Sequence, residues 1–134
     1  MDELQLAGCI LLNEKGEVLL LHRSTEKYDH WEVPGGKIEP AELSEVAAVR
    51  EIREELGIDV QIDRKLGEAS FLDGRPMKYH WFLAQTRQIP TVCEPDKFVE
   101  LAYFAPKKLA ASDISLSEGA KQFVALMQSG KIRL

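Results

Sequence analysis

The sequence predicts a mixed α/β domain in which strands and helices share one core, and three observations carry that expectation. Short runs rich in Leu, Ile and Val recur between turn residues. The segment from about Ala41 to Leu56 contains no Gly or Pro and is dominated by Ala, Glu, Leu and Arg, all strong helix formers. A second helical spacing appears near the end, in Ala120, Phe123, Val124 and Met127. With 134 residues, 45% of them hydrophobic and 29% charged, the chain has the size and composition of a single globular domain spanning 1–134.

Taken in order, "LQLAGCILL" and "EVLLLHR" read as two strands joined in a hairpin by "NEKG", where Gly16 can adopt positive φ. A polar loop from Ser24 to His30 leads to "WEVPGG", where Pro34, Gly35 and Gly36 are expected to end any extended segment. The helix from about Ala41 to Leu56 follows, with Gly57 at the position of a C-terminal cap. "IDVQIDRKLGEASF" and "MKYHWFLAQTR" read as strands joined through "LDGRP", and "ELAYFA" is a further strand reached through "IPTVCEPDK". The segment "SLSEGAKQFVALMQSG" is the second helix, ending near Gly130. No internal repeat or linker interrupts this order.

A net charge of −5 without a cluster of Lys and Arg argues against binding of a long nucleic acid. Cys9 and Cys93 lie far apart and outside any metal-ligand spacing, so two free thiols in a reducing compartment are expected. The acidic start and short apolar run of "MDELQLAGCILLNEKGE" fit neither a signal peptide nor a membrane span. A cytoplasmic location with no membrane partner is therefore expected, and a monomer and a homodimer both stay open.

The helix carries the chemistry. At about 100° per residue, Glu51, Glu54 and Glu55 fall within an arc of roughly 100°, with Val46, Val49, Ile52 and Leu56 expected on the other side. A solvated charged face is the plain explanation of such a pattern. Two features oppose it: Glu54 and Glu55 stand in the last turn, where the helix dipole disfavours negative charge, and Glu51 and Glu55 repel at i,i+4. A bound positive group resolves both. Oxygen ligands without His or Cys select a hard cation, and a site sharing it with a phosphate suits Mg2+, or Mn2+ as a substitute. That combination cleaves phosphoanhydrides.

The spacing Gly36, five residues, Glu42, seven residues, then Arg50-Glu51-Ile52-Arg53-Glu54-Glu55-Leu56-Gly57-Ile58 resembles the Nudix box, Gx5Ex7REUxEExGU with U aliphatic, at every defined position. The resemblance covers about a sixth of the chain and implies an α/β/α sandwich whose mixed sheet supports a strand, loop, helix and loop bearing the metal site. It implies that Glu51, Glu54 and Glu55 ligate the metal with the Gly36 carbonyl, that Glu51 or a neighbour deprotonates or orients the attacking water, and that Arg50 holds the glutamates in place. Glu42, on the first helical turn, would lie beside the metal. The family often has glycine before that glutamate; this chain has Ala41.

Family members usually add a carboxylate from a loop near the last strand. "CEPDKFVELAYF" resembles the "EPEK" segment of some nucleotide-hydrolysing members, which makes Glu94, Asp96 and Glu100 candidates for metal binding, water activation or base recognition. Arg23 and Lys37 are candidates for phosphate binding. Phe71, Tyr79, Trp81 and Phe82 could supply a platform for a base, although alternation puts Tyr79 and Trp81 on one face and His80 and Phe82 on the other, so at least one pair belongs to the core. His22 and His80 have no metal-ligand spacing.

The resemblance implies a metal-dependent pyrophosphohydrolase acting on a small nucleotide, with a nucleoside triphosphate or modified nucleotide favoured by the "EPDK" segment. Dinucleoside polyphosphates, ADP-ribose and nucleotide sugars are the alternatives, although neither an SQPWPxS segment nor a proline about fifteen residues past the box points to the NADH- or ADP-ribose-cleaving groups. A non-catalytic nucleotide sensor need not keep the ligands, and this chain keeps all of them. Prenyl diphosphate isomerisation would need further acid/base residues that the sequence does not place.

Overall fold

The computed structural model describes residues 2–111 and 113–134. Two sheets stand side by side in the middle layer. The first has the order β4-β1-β6-β5 and is mixed, with β1 (Leu4–Leu11) parallel to β6 (Pro76–Gln85) and antiparallel to β4 (Gly35–Lys37). Antiparallel to β6 on its other side lies β5 (Gln61–Leu72). The second sheet has the order β3-β2-β7, all antiparallel, from β3 (Asp29–Glu32), β2 (Val18–Ser24) and β7 (Phe98–Phe104).

Period-two alternation along these strands builds one core on each face. Ala7, Cys9, Leu11, Leu19, Leu21, Phe82 and Ala84 pack with Ala47, Ala48, Ile52 and Leu56 of α1 (Ser44–Leu56). Ile10, Val18, Leu20, Tyr79 and Trp81 face the other way, against Leu109 of α2 (Pro106–Ala110) and Ala120, Phe123 and Val124 of α3 (Glu118–Gln128). The result is a three-layer α/β/α sandwich. Among the described residues no helix is long and apolar enough to cross a membrane.

Three expectations are corrected, and one element is new. β1 and β2 are strands, but they form no hairpin ladder and share only the bridge Leu12–Val18. Both edges of β1 are already taken, by β4 and β6, so β2 pairs elsewhere. Gly35 and Gly36 do not end the extended chain: they belong to β4, with Gly35 opposite Gly8. The approach is so close that a Cβ on Gly35 would stand 2.5 Å from the Ala7 carbonyl oxygen. Helix α1 starts at Ser44 rather than near Ala41, because Ala41 takes a left-handed φ of 65° that no helix continues. The short helix α2, with Pro106 at its start, is an element that sequence reading did not find.

Candidate active site

The buried face of α1 differs from the expected one. Val46 is half-exposed, and the inward residues are Ala47, Ala48, Ile52, Glu55 and Leu56, so a carboxylate lies within the packed face. The two alanines let the helix lie close to β1 and β4, and Gly57, at φ 67°, closes it by donating its N–H to the Arg53 carbonyl at 3.0 Å. Glu55 is only 4% exposed. Its Oε1 accepts the Gly35 N–H at 2.8 Å, and among the described residues Oε2 receives no hydrogen bond. Burial, then the nearby charges of Glu51 and Glu32, push its carboxyl well above the usual range.

Glu51 stands next to it, half-buried against β4. A Cβ on Gly36 would lie 2.5 Å from the Glu51 carboxylate, so this glycine is what admits the side chain. Burial also raises the Glu51 carboxyl, against the lowering influence of Arg50. Glu54 is the outermost of the three, with about half of its side chain exposed.

Arg50 ties this cluster to the preceding loop. Its Nη1 donates to Glu51 at 3.0 Å and to Glu54 at 3.3 Å, while Nη2 donates to the Lys37 carbonyl at 3.0 Å. Nε and Nη2 grip Glu42 through two bonds of 2.9 Å. Glu42 is not on the helix, as the sequence reading had it, but two residues before it. It accepts the Glu39 N–H at 3.0 Å, and the paired Arg50 holds its carboxyl down at about 2.

Arg50, Glu51, Glu54 and Glu55, but not Glu42, line a cleft of about 780 Å³. Arg23, Lys37 and Glu94 line it along with Gly36, Glu51, Glu54 and Glu55. Asp96 and Glu100 do not. Glu100 lies on β7 opposite His22 of β2 and bonds its Nδ1 at 3.3 Å, which turns it away from the glutamates of α1. Asp96 sits exposed in the turn before β7, two residues beyond Glu94. Tyr79 lines the cleft but is only 8% exposed and stacks on Trp81 with centroids 5.0 Å apart, so its ring belongs to the core rather than to a base platform. Trp81 and Phe82 are buried as well, on opposite faces, and of that group Phe71 and Tyr79 line the cleft. His80 bonds Gln5 and Lys65, and His22 is held by Asp29 and Glu100.

Sequence reading missed Glu32 and His30, which form the cleft's opposite wall. Their signal was the period of "DHWE" on β3, which turns His30 and Glu32 to one side and Trp31 to the other, where it stacks on His22 at 4.8 Å.

The donor set is that of a divalent cation site. The ligands on offer are all oxygen, as a hard cation requires. The buried Glu55, crowded by Glu51 and Glu32, is the sort of carboxylate that a nearby dication would ionise. Among the described residues no three Asp, Glu, His or Cys side chains converge on one point. Arg50 is the positive group between Glu51 and Glu54, and both of these side chains lie at the cleft surface. The residues fit the ion by the chemistry of their oxygen donors.

The model of the NUDIX domain matches residues 4–127. The Escherichia coli (strain K12) 8-oxo-dGTP diphosphatase is 43% identical over 63 residues, 46% of this chain and 49% of that protein. The mouse diphosphoinositol polyphosphate phosphohydrolase 3-alpha is 42% identical over 62 residues, 46% of this chain and 38% of that one. In both cases the match spans less than half of the relative's length. Among solved structures, a MutT NUDIX hydrolase from Burkholderia pseudomallei superimposes with a TM-score of 0.80 at 28% identity, over 93% of this chain and 98% of that one.

Proposed function

Because this chain belongs to the NUDIX domain family, we propose that it is a divalent-metal-dependent pyrophosphohydrolase of nucleoside triphosphates or their modified forms. The observation that carries the reading is Glu55: a buried carboxylate, pinned to the β4 backbone beside Glu51, with a free oxygen at the end of an open cleft. Burying an ionisable group in this way is costly unless a cation accompanies it.

Mg2+, or Mn2+ in its place, would be held by Glu51, Glu54 and Glu55 with the Gly36 carbonyl, and Glu94 is a further carboxylate on the same cleft. When bound, it supplies neutralisation of the phosphate charge and a lower pKa for an adjacent water. Glu51 orients that water and takes its proton. A bond forms between the water oxygen and phosphorus as the P–O bond of the α–β bridge breaks, and the electron pair leaves on the bridging oxygen of the departing group. For a nucleoside triphosphate the products are the monophosphate and pyrophosphate. Arg23 and Lys37 face the phosphates, and Arg50 keeps Glu51 and Glu54 in place. The E. coli relative's name supports a nucleoside triphosphate carrying an oxidised base. The mouse relative, of nearly equal identity, supports diphosphoinositol polyphosphates as the second reading. The cytoplasm is the compartment where either substrate and two free thiols are at home.

The test is release of phosphate and pyrophosphate from nucleoside triphosphates, 8-oxo-dGTP, ADP-ribose, nucleotide sugars, dinucleoside polyphosphates and a diphosphoinositol polyphosphate, with and without Mg2+. Magnesium-dependent turnover of triphosphates is expected. Tight binding with no turnover of any compound would replace the enzyme with a sensor.

A further inference from the structure

The wall of the cleft opposite α1 holds an ordered triad that the carboxylate cluster does not explain. Glu32 is a mostly buried carboxylate at the end of β3, with 15% of its side chain exposed. Arg23 of β2 donates to it twice, from Nε to Oε2 and from Nη2 to Oε1, both at 2.9 Å. His30, two residues along the same strand, approaches Oε2 with Nε2 at 2.7 Å. Since an ionised carboxylate only accepts, His30 carries its proton on Nε2. Below the guanidinium lies the Phe98 ring, 4.7 Å from Cζ. Arg23 is thus fixed in plane and in tilt by two independent supports.

That arrangement leaves a defined remainder. Of the five N–H groups of Arg23, Glu32 takes one on Nε and one on Nη2. Among the described residues Nη1 has no hydrogen-bond partner, so three donors stay available on a side chain that lines the cleft. Arg23 also lies close enough to Glu55 and Glu94 to feel their charge, and all three side chains line the same cleft. An arginine free to rotate would lose this aim, and holding a fork in place before the ligand arrives is worth more than its charge alone.

We propose that Glu32, braced by His30, is a positioning residue: it orients Arg23 so that the guanidinium edge left over meets the polyphosphate of the substrate. The inference rests on the proposed function for the identity of the substrate, and on the triad's geometry for the role itself. Glu32 touches no reacting atom. Its effect passes through Arg23, so the two residues act as one unit.

The experiment compares wild type, Glu32→Gln, Arg23→Lys and the double variant. Two readouts are taken: calorimetric binding of inorganic tripolyphosphate with Mg2+, and KM and kcat on the best triphosphate. Glu32→Gln is expected to weaken tripolyphosphate binding and raise KM about tenfold while kcat moves less than about threefold. Adding it to Arg23→Lys is expected to do no further harm, because the fork it aims is already gone. His30→Gln, which keeps the Arg23–Glu32 pair, should show a smaller loss of the same kind and serves if Glu32→Gln does not fold. Unchanged tripolyphosphate binding in a folded Glu32→Gln, or losses that add in the double variant, would overturn the proposal. If wild type binds tripolyphosphate but turns over no compound, the enzymatic reading fails while the positioning role is still decided by the binding data.

Discussion

At the scale of single residues, environment separates side chains that look alike in the sequence. Cys9 is fully buried between the sheet and α1, and burial pushes its thiol up to about 12, whereas Cys93 is exposed. A disulfide reagent should therefore titrate one thiol in the native protein and two after denaturation; two fast thiols in the native state would contradict the packing. The glutamates of α1 divide in the same way, from the buried Glu55 to the outermost Glu54. Gly36 is the residue on which that arrangement depends. Gly36→Ala would drive a methyl group into the Glu51 carboxylate, and turnover is expected to fall by at least about tenfold with a much smaller change in melting temperature. Kinetics and thermal unfolding of the same preparation check it, and an unaffected rate would mean that Glu51 is not held where its role requires.

At the scale of elements, the segment between β4 and α1 shows a local cost accepted for the sake of position. Ala41 sits exposed with φ 65°, in the turn that brings Glu42 back to Arg50. A left-handed alanine costs about 1–2 kcal/mol, and glycine regains that at an entropic cost of about 0.4–1 kcal/mol in the unfolded chain. Ala41→Gly is accordingly expected to stabilise the protein by about 0.5–1 kcal/mol without loss of activity, as denaturant unfolding would measure. Had Ala41 been the first residue of the helix, as composition suggests, the same change would destabilise by up to about 1 kcal/mol. The sign of the effect alone decides between the two.

At the scale of the whole molecule, the two cores hold α1 and α3 to opposite faces of the same strands, so loss of either should weaken the other. Phe123 is buried at 1% exposure and packs its ring 5.9 Å from that of Trp81. Phe123→Ala is expected to cost about 3–5 kcal/mol in a single cooperative transition, followed by circular dichroism and Trp fluorescence together. Transitions that part company would show that the α3 face melts by itself, and the cleft would then be supported from one side only.

Much of this was legible in the chain. Alternation along the strands, the helix formers from about Ala41 to Leu56 and the cap at Gly57 specify their elements locally, and the spacing of Glu51, Glu54 and Glu55 marks the cluster because adjacent helical turns bring those carboxylates to one side. Other features depend on partners remote in sequence. Nothing near β1 reveals that its two edges are filled by β4 and β6, and so the expected hairpin did not form. Nothing near Glu100 reveals that a His on β2 would claim it. Periodicity alone set Glu51 and Glu55 apart from the apolar side of α1; only the close approach of β4 through two glycines decided that Glu55 is buried. The sequence by itself thus determined which elements form and which helix bears the carboxylates, since those rest on propensity and spacing within a few turns. The tertiary structure decided which charges are buried, which loop carboxylate reaches the cleft and that Glu32 faces Arg23, since desolvation and ion pairing depend on distances between segments that only packing brings together.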